Sequence, residues 1–197
     1  MTQPKHQLRA TARARRAALS KPLRRSHSAS ICSHLTESAP WREAKTVAIY
    51  ASFRAEVDTD ELLRRAIRDG KQLLLPKVVA PKMPLAFFEV RPDSSDAWPL
   101  TEGAFGVQEP NDSCAEVPLD HIDLLIVPAL ALDTTGARLG WGGGFYDRTL
   151  ERCSGAKVLA VVFDCQIVES VPVSEHDLPV DGWVSESGLC FTARGSE

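Results

Sequence analysis

Residues 136–148 read GARLGWGGGFYDR. An apolar run, residues 122–132 (IDLLIVPALAL), leads into them, and a segment of helical composition, residues 146–153, follows. Gly140, Gly142, Gly143 and Gly144 fall within five positions. Glycine reaches positive φ at little cost and lets backbone approach a ligand closely. Strand, glycine-rich turn and helix start together aim N–H groups and the positive end of a helix dipole at one spot, which suits an anion, a phosphate above all. Arg138 adds a planar cation whose fork matches phosphate oxygens. Asp147 stands where a carboxylate can hold Mg²⁺ against those phosphates. Trp141, Phe145 and Tyr146 supply three rings to wall a pocket for a planar heterocycle. The glycines by themselves also fit a surface loop anchored by its rings; the Arg, the Asp and the rings together favour the site.

Two common phosphate loops are excluded. A Walker loop needs Lys and Ser/Thr after its last glycine, where Phe145 and Tyr146 stand. The dinucleotide fingerprint G-x-G-x-x-G, counted from Gly140, meets Phe145 at its last position.

Working outward, residues 46–53 (TVAIYASF) read as a buried strand. A turn over residues 52–56 follows, then a helix capped by Asp58 or Thr59 and closed by Gly70. Residues 72–79 (QLLLPKVV) form the next strand, so strand, helix and strand make a βαβ unit with parallel pairing. Residues 85–90 are strand-like, and 157–163 (KVLAVVF) complete a second βαβ unit across the glycine loop. Helices are expected over residues 5–19, with Leu8, Ala12 and Leu19 on one stripe, and over 24–35, ending before Pro40. The fold class is α/β: a single three-layer domain over residues 1–197, with a largely parallel, Rossmann-like central sheet and a basic helical segment, 1–36, packed on it. In such sheets ligands bind off the carboxyl ends of strands. Glu56 and the glycine loop both sit at such ends.

The chain's 197 residues are 44% apolar, enough for one substantial core. Its formal net charge is −3, but residues 1–36 hold eight Lys/Arg and no acid, leaving 15 bases against 26 acids elsewhere. A basic segment on an acidic body suggests that it completes an anion site. Arg- and Ser-rich, acid-poor composition also describes an organelle transit peptide. The longest apolar run breaks at Pro128, too short to cross a membrane. The five cysteines (Cys32, Cys114, Cys153, Cys165, Cys190) show no C-x-x-C or metal-ligand spacing, so reduced thiols serving as core filler in a cytoplasmic protein are expected.

Arg138 to Asp147 (RLGWGGGFYD) closely resembles R-L-G-x-G-x-G-[FY]-Y-D, the signature of the 5-formyltetrahydrofolate cyclo-ligases, also called 5,10-methenyltetrahydrofolate synthetases. Weaker matches extend along the chain. Lys5-His-Gln-Leu-Arg9 is similar to the family's K-x-x-[LI]-R element, which implies ATP contacts for Lys5 and Arg9. Arg13, Arg15 and Arg16 are read as a solvated basic face. By the same resemblance the nucleotide is held by Arg138, Leu139, Gly140, Trp141, Gly142, Gly143, Gly144, Phe145 and Tyr146. The folate falls to Ala51, Glu56, Phe105, Trp141 and Phe145. Phe105 lies in a segment, residues 105–110, that matches the family's stretch before the central strand; Trp98 is the alternative there. Residues 171–181 (VPVSEHDLPVD) resemble a P-x-x-x-x-D segment in which Asp177 joins Asp147 on the metal. Asp133 braces the turn or approaches the metal, and His176 reads as an exposed loop residue.

The resemblance implies ATP as co-substrate, Mg²⁺, and small-molecule partners only, with no nucleic acid or membrane, in a monomer. Arg138 and Tyr146 are the implied catalytic residues. The implied reaction joins ATP and 5-formyltetrahydrofolate to give ADP, phosphate and 5,10-methenyltetrahydrofolate. A non-catalytic nucleotide-binding regulatory module and an ATP-independent enzyme of sugar-phosphate isomerase architecture are the rival readings.

Overall fold

The computed structural model describes residues 4–153 and 155–193; the remaining positions of the 1–197 span, including the first three of the basic segment, lie outside the described residues. Helices α1 (Lys5–Ala18), α2 (Lys21–Thr36) and α3 (Ala39–Glu43) come first. The first βαβ unit is β1 (Thr46–Ala48), α4 (Asp60–Arg68) and β2 (Gln72–Lys77). β3 (Ala86–Glu89), a separate hairpin of β4 (Leu100–Glu102) and β5 (Gln108–Pro110), and β6 (Glu116–Val117) follow. β7 (Leu124–Pro128), the hairpin of β8 (Ala131–Leu132) and β9 (Arg138–Leu139), α5 (Phe145–Leu150) and β10 (Lys157–Val161) form the second crossover. The last hairpin is β11 (Gly182–Ser185) and β12 (Gly188–Phe191).

The central sheet runs β12-β11-β10-β7-β1-β2-β3-β6. Its inner five strands, from β11 to β2, pair in parallel, and antiparallel strands finish both edges. Period-two alternation explains why these strands read as continuous apolar runs. Val47, Leu73, Leu124, Ile126 and Leu159 face the layer of α2, α3 and α4. Ala48, Leu74, Leu125, Val127 and Ala160 face the opposite layer with Leu150 and Cys153 beside α5. A sheet buried on both faces has no polar alternation to show. Leu125 is fully buried. Leu125→Ala is therefore expected to cost about 2–5 kcal/mol, measured by urea unfolding.

Several boundaries differ from the sequence reading. The apolar run 122–132 is two strands: β7 ends at Pro128, and the chain then folds into the β8–β9 hairpin, with the Leu130 N–H donating to Leu139 at 2.7 Å. Proline ends the run because it has no N–H for a further ladder bond. Asp133 braces this hairpin. It is buried, accepting from the Thr135 N–H at 2.9 Å, the Ala137 N–H at 3.3 Å and the Val171 N–H at 2.7 Å. α2 begins three residues early because Ser20 caps it, accepting from the Leu23 N–H at 3.3 Å with Pro22 in its first turn. α2 ends before Pro40 as read, but Pro40 also stands in the first turn of a short further helix, α3, with Ser38 as its cap; proline is well placed where the N–H has no helical partner anyway.

β1 is shorter than residues 46–53. After the Ile49 N–H bonds to Leu74 at 3.0 Å, the chain lifts off the sheet. The Thr59 hydroxyl, at the cap of α4, donates to the Tyr50 carbonyl at 2.8 Å and accepts from the Ser52 N–H, so it fastens the lifted strand end. α5 spans six residues instead of 146–153, starting from Gly144 at φ 65°.

Candidate active site

A cleft of about 640 Å³ opens at the carboxyl ends of the parallel strands. Four stretches of chain build it: α1, the lifted end of β1, the hairpin tip at residues 105–109, and residues 138–147, with Asp177 closing one side. Each site residue anticipated from the sequence lies on its wall. Lys5 and Arg9 come from α1, Ala51 and Glu56 from beyond β1, and Phe105 from the hairpin; the rest come from Arg138 to Asp147 and Asp177. Trp98 does not line it and packs with Leu100 and Cys114 on the α2–α4 core. Phe105 is 77% exposed, has φ 62°, and meets the Phe145 ring edge-on at 6.4 Å.

The cationic half of the cleft is held by ion pairs. Arg138 is buried, and its Nη2 donates to Asp147 Oδ1 at 2.8 Å. Its Nε is buried with no hydrogen-bond partner among the described residues, a donor whose desolvation costs about 1–3 kcal/mol until an acceptor arrives. Burial lowers the Arg138 pKa and Asp147 opposes that shift; the guanidinium stays charged. Lys5 Nζ pairs with Asp177 and donates to Ser174 Oγ at 2.8 Å. Burial works against the Asp177 carboxylate, but hydrogen bonds from Lys5 and the Ser174 N–H outweigh it and hold its pKa below the usual range. Arg9 Nε donates to the Gly140 carbonyl at 3.0 Å, tying α1 to the glycine loop. α5 has only six residues, so its dipole is short; the cationic side chains on this wall are Lys5, Arg9 and Arg138, two of them paired with Asp177 and Asp147.

The other half is aromatic and acidic. Trp141 Nε1 donates to Glu56 Oε1 at 3.0 Å, and the Phe53 N–H donates to Oε2 at 3.0 Å. Burial raises the Glu56 pKa, against these two hydrogen bonds and the nearby Arg16. Burial, then Glu56, raises that of Tyr146 well above the ordinary phenol value, so Tyr146 works as a neutral hydroxyl. The Arg138 guanidinium lies 5.6 Å from the centre of its ring.

Two arginines escaped the sequence reading. Arg16 is buried against Trp141 rather than solvated, whereas Arg13 and Arg15 are exposed as expected. The signal was there: Leu8, Ala12 and Arg16 repeat every four residues on the buried face of α1. Arg148, just past the motif, props the loop from outside. Its Nη2 donates to Gly143 at 2.8 Å and its Nε to Met83 at 3.3 Å.

Among the described residues no group of three or more His, Cys, Asp or Glu side chains is arranged to hold a metal ion. His176 is exposed. The cysteines are free; Cys32 and Cys153 are buried filler, with thiols that burial pushes up to about 11, whereas Cys114 and Cys165 are half-buried and Cys190 is exposed, so it is not core filler. A second cavity of about 300 Å³ lies at the amino ends of β7 and β10, away from the glycine loop. Its Asp123 is engaged by the Lys45 and Thr46 N–H groups, both at 2.8 Å.

A parallel α/β sheet with a cationic, glycine-lined cleft at its carboxyl end defines an enzyme-like anion site of the doubly wound class. The profile described as the 5-formyltetrahydrofolate cyclo-ligase family matches residues 1–186. The 5-formyltetrahydrofolate cyclo-ligase of Haemophilus influenzae is 35% identical over 184 residues, covering 91% of this chain and 96% of that protein. The Escherichia coli K12 protein of the same name is 40% identical over 149 residues, covering 73% and 79%. The solved structure of Aquifex aeolicus 5,10-methenyltetrahydrofolate synthetase superposes with a TM-score of 0.84 at 32% identity, over 96% of this chain and 93% of that one. The chain belongs to the 5-formyltetrahydrofolate cyclo-ligase family, a family of enzymes. No helix among the described residues is long and apolar enough to cross a membrane.

Proposed function

We propose that the cleft cyclises 5-formyltetrahydrofolate to 5,10-methenyltetrahydrofolate at the expense of ATP, in a single domain working as a cytoplasmic monomer. The observation that carries the reading is the meeting of three cations from distant segments, Lys5, Arg9 and Arg138, around one glycine loop whose far wall is aromatic and acidic. The unpaired Arg138 Nε supports a ligand oxygen on that side. The rings of Phe105, Trp141, Phe145 and Tyr146, together with Ala51 and Glu56, suit a planar heterocycle with N–H donors on the other.

A formamide oxygen leaves poorly because nitrogen lone-pair donation strengthens its C–O bond. The γ-phosphoryl group of ATP passes to that oxygen and ADP departs. N10 of the folate then attacks the activated carbon, the ring closes, N10 loses its proton and the C–O bond breaks to release phosphate. This chemistry depends on positioning and charge stabilisation. Lys5, Arg9, Arg138 and the backbone of residues 139–146 hold the triphosphate. Arg138 steadies charge on the transferring group, and the neutral Tyr146 hydroxyl, with Phe145, borders the formyl group. Asp147 and Asp177 fit Mg²⁺ in one way: as the two carboxylates of a site completed by phosphate oxygens and water. Bound there, Mg²⁺ would neutralise phosphate charge.

The test is growth of the methenyl absorbance on mixing the protein with Mg·ATP and 5-formyltetrahydrofolate, with phosphate release dependent on the folate. A protein that binds ATP but gives no chromophore is a regulatory module. One that turns over sugar phosphates without ATP overturns the reading outright. Within it, Arg9→Ala is expected to raise the KM for ATP about tenfold, the loss of one charge-assisted hydrogen bond of about 1.5–3 kcal/mol. Initial rates against ATP concentration check this.

A further inference from the structure

Arg16 is 3% exposed, and no ion pair to its guanidinium is found among the described residues. What it touches is Trp141, whose ring centre lies 5.4 Å from Cζ. Trp141 in turn donates to Glu56, and the Phe53 N–H holds the other carboxylate oxygen. A buried cation stacked on a ring that hydrogen-bonds a carboxylate acts on that carboxylate twice, through the ring's orientation and through its own field.

We propose that Arg16 is a positioning residue: stacked on Trp141, it fixes the ring that holds Glu56 and favours the carboxylate's ionised form, ready for paired N–H donors on the edge of a 2-amino-4-oxo heterocycle. This rests on the reading of Glu56 as a folate contact. A carboxylate accepts two such donors only in its ionised form, so its charge state sets the pH range over which the substrate binds. The groups that face Glu56 are Tyr50 and Tyr146, whose phenols are neutral, together with Trp141, the Phe53 N–H and Arg16. Arg16 itself also faces Tyr50, Cys165 and Arg24. Burial is the largest influence on Glu56 and raises its pKa; the Trp141 and Phe53 hydrogen bonds oppose it, and the charge of Arg16 adds to them. Removing it moves the Glu56 midpoint upward, and the acid limb of substrate binding moves with it.

Two measurements on the full chain test this. The first follows the Glu56 carboxyl ¹³C shift against pH in the ligand-free protein, for the natural sequence, Arg16→Met and Arg16→Lys. The second measures 5-formyltetrahydrofolate affinity by calorimetry over the same range, with Glu56→Gln added. In Arg16→Met the midpoint should rise. The affinity loss should grow from less than about twofold on the alkaline plateau to roughly tenfold on the acid limb. Arg16→Lys should restore both, and Glu56→Gln should abolish the limb. Arg16→Gln replaces the methionine variant if circular dichroism shows the latter unfolded. An unmoved midpoint, or a loss equal at every pH, overturns the assignment of Arg16 and leaves Glu56 standing. A midpoint that moves while Glu56→Gln binds the folate normally overturns the folate role of Glu56, and the role of Arg16 in binding falls with it.

Discussion

Asp147→Asn is expected to lower turnover by roughly a hundredfold or more, if a metal held there stabilises transition-state charge by several kcal/mol, and to raise the Mg²⁺ concentration needed for half-maximal rate. The substitution keeps size and shape and removes one negative charge. It also touches the buried Arg138, whose Nη2 bonds to Asp147 Oδ1 at 2.8 Å. An amide oxygen can keep that bond but not the charge balance, so the melting temperature should fall as well. The two effects separate by titration. Loss of a metal ligand makes the rate respond to Mg²⁺ far above the natural requirement, whereas weakened support for Arg138 lowers the rate equally at every Mg²⁺ concentration. Asn is nearly as good a helix cap as Asp, so a residue serving only α5 would leave turnover close to normal. Measuring kcat against Mg²⁺ alongside the thermal melt decides the matter, and near-normal turnover with unchanged Mg²⁺ dependence removes Asp147 from the site.

Gly142→Val is expected to weaken ATP binding by about a hundredfold or more while leaving the sheet folded. Gly142 has φ 105°, a backbone conformation that a β-branched residue cannot adopt without strain. The new Cβ would meet the Arg9 guanidinium at 3.5 Å, an ordinary contact, so the cost lies in the backbone and in the branches beyond Cβ. The loop must therefore change shape where backbone and cation converge. Residue 142 is exposed and belongs to neither core layer, so circular dichroism should stay unchanged. Calorimetric titration with ATP checks the loss, and normal binding would sink the loop assignment.

The motif was legible because its residue types carry chemistry that their order alone reveals. Glycines, an arginine, rings and an aspartate in that sequence limit what the backbone between two strands can do. The parallel sheet was legible for a similar reason: strands buried on both faces need unbroken apolar runs, and β1, β2, β7 and β10 have them. Misreadings arose where a local signal had two meanings. Pro40 does follow the end of α2 as read, but it also starts the short α3, which the reading did not include, and Pro128 divides a run whose residues on both sides are buried. Arg16 was misread because arginine is usually solvated, although its four-residue spacing from Ala12 places it on the inner face. The choice between Phe105 and Trp98 as a cleft residue was beyond sequence. It depends on the β4–β5 hairpin, whose tip hangs over the Phe145 ring while Trp98, just before it, turns into the core.

The ties made by α1 reach across most of the chain: Arg9 bonds to a carbonyl 131 positions later, and Lys5 pairs with a carboxylate 172 positions later. On a ribosome adding about 5–20 residues per second, the helix therefore waits roughly ten to thirty seconds for its last partner to be made. Through that interval it is a basic amphipathic segment with its Leu8–Ala12–Arg16 stripe uncovered. The sheet can assemble strand by strand from local crossovers in the meantime. Although it is made well before its partners, α1 is thus among the last pieces to dock, and the cleft becomes complete only when it does.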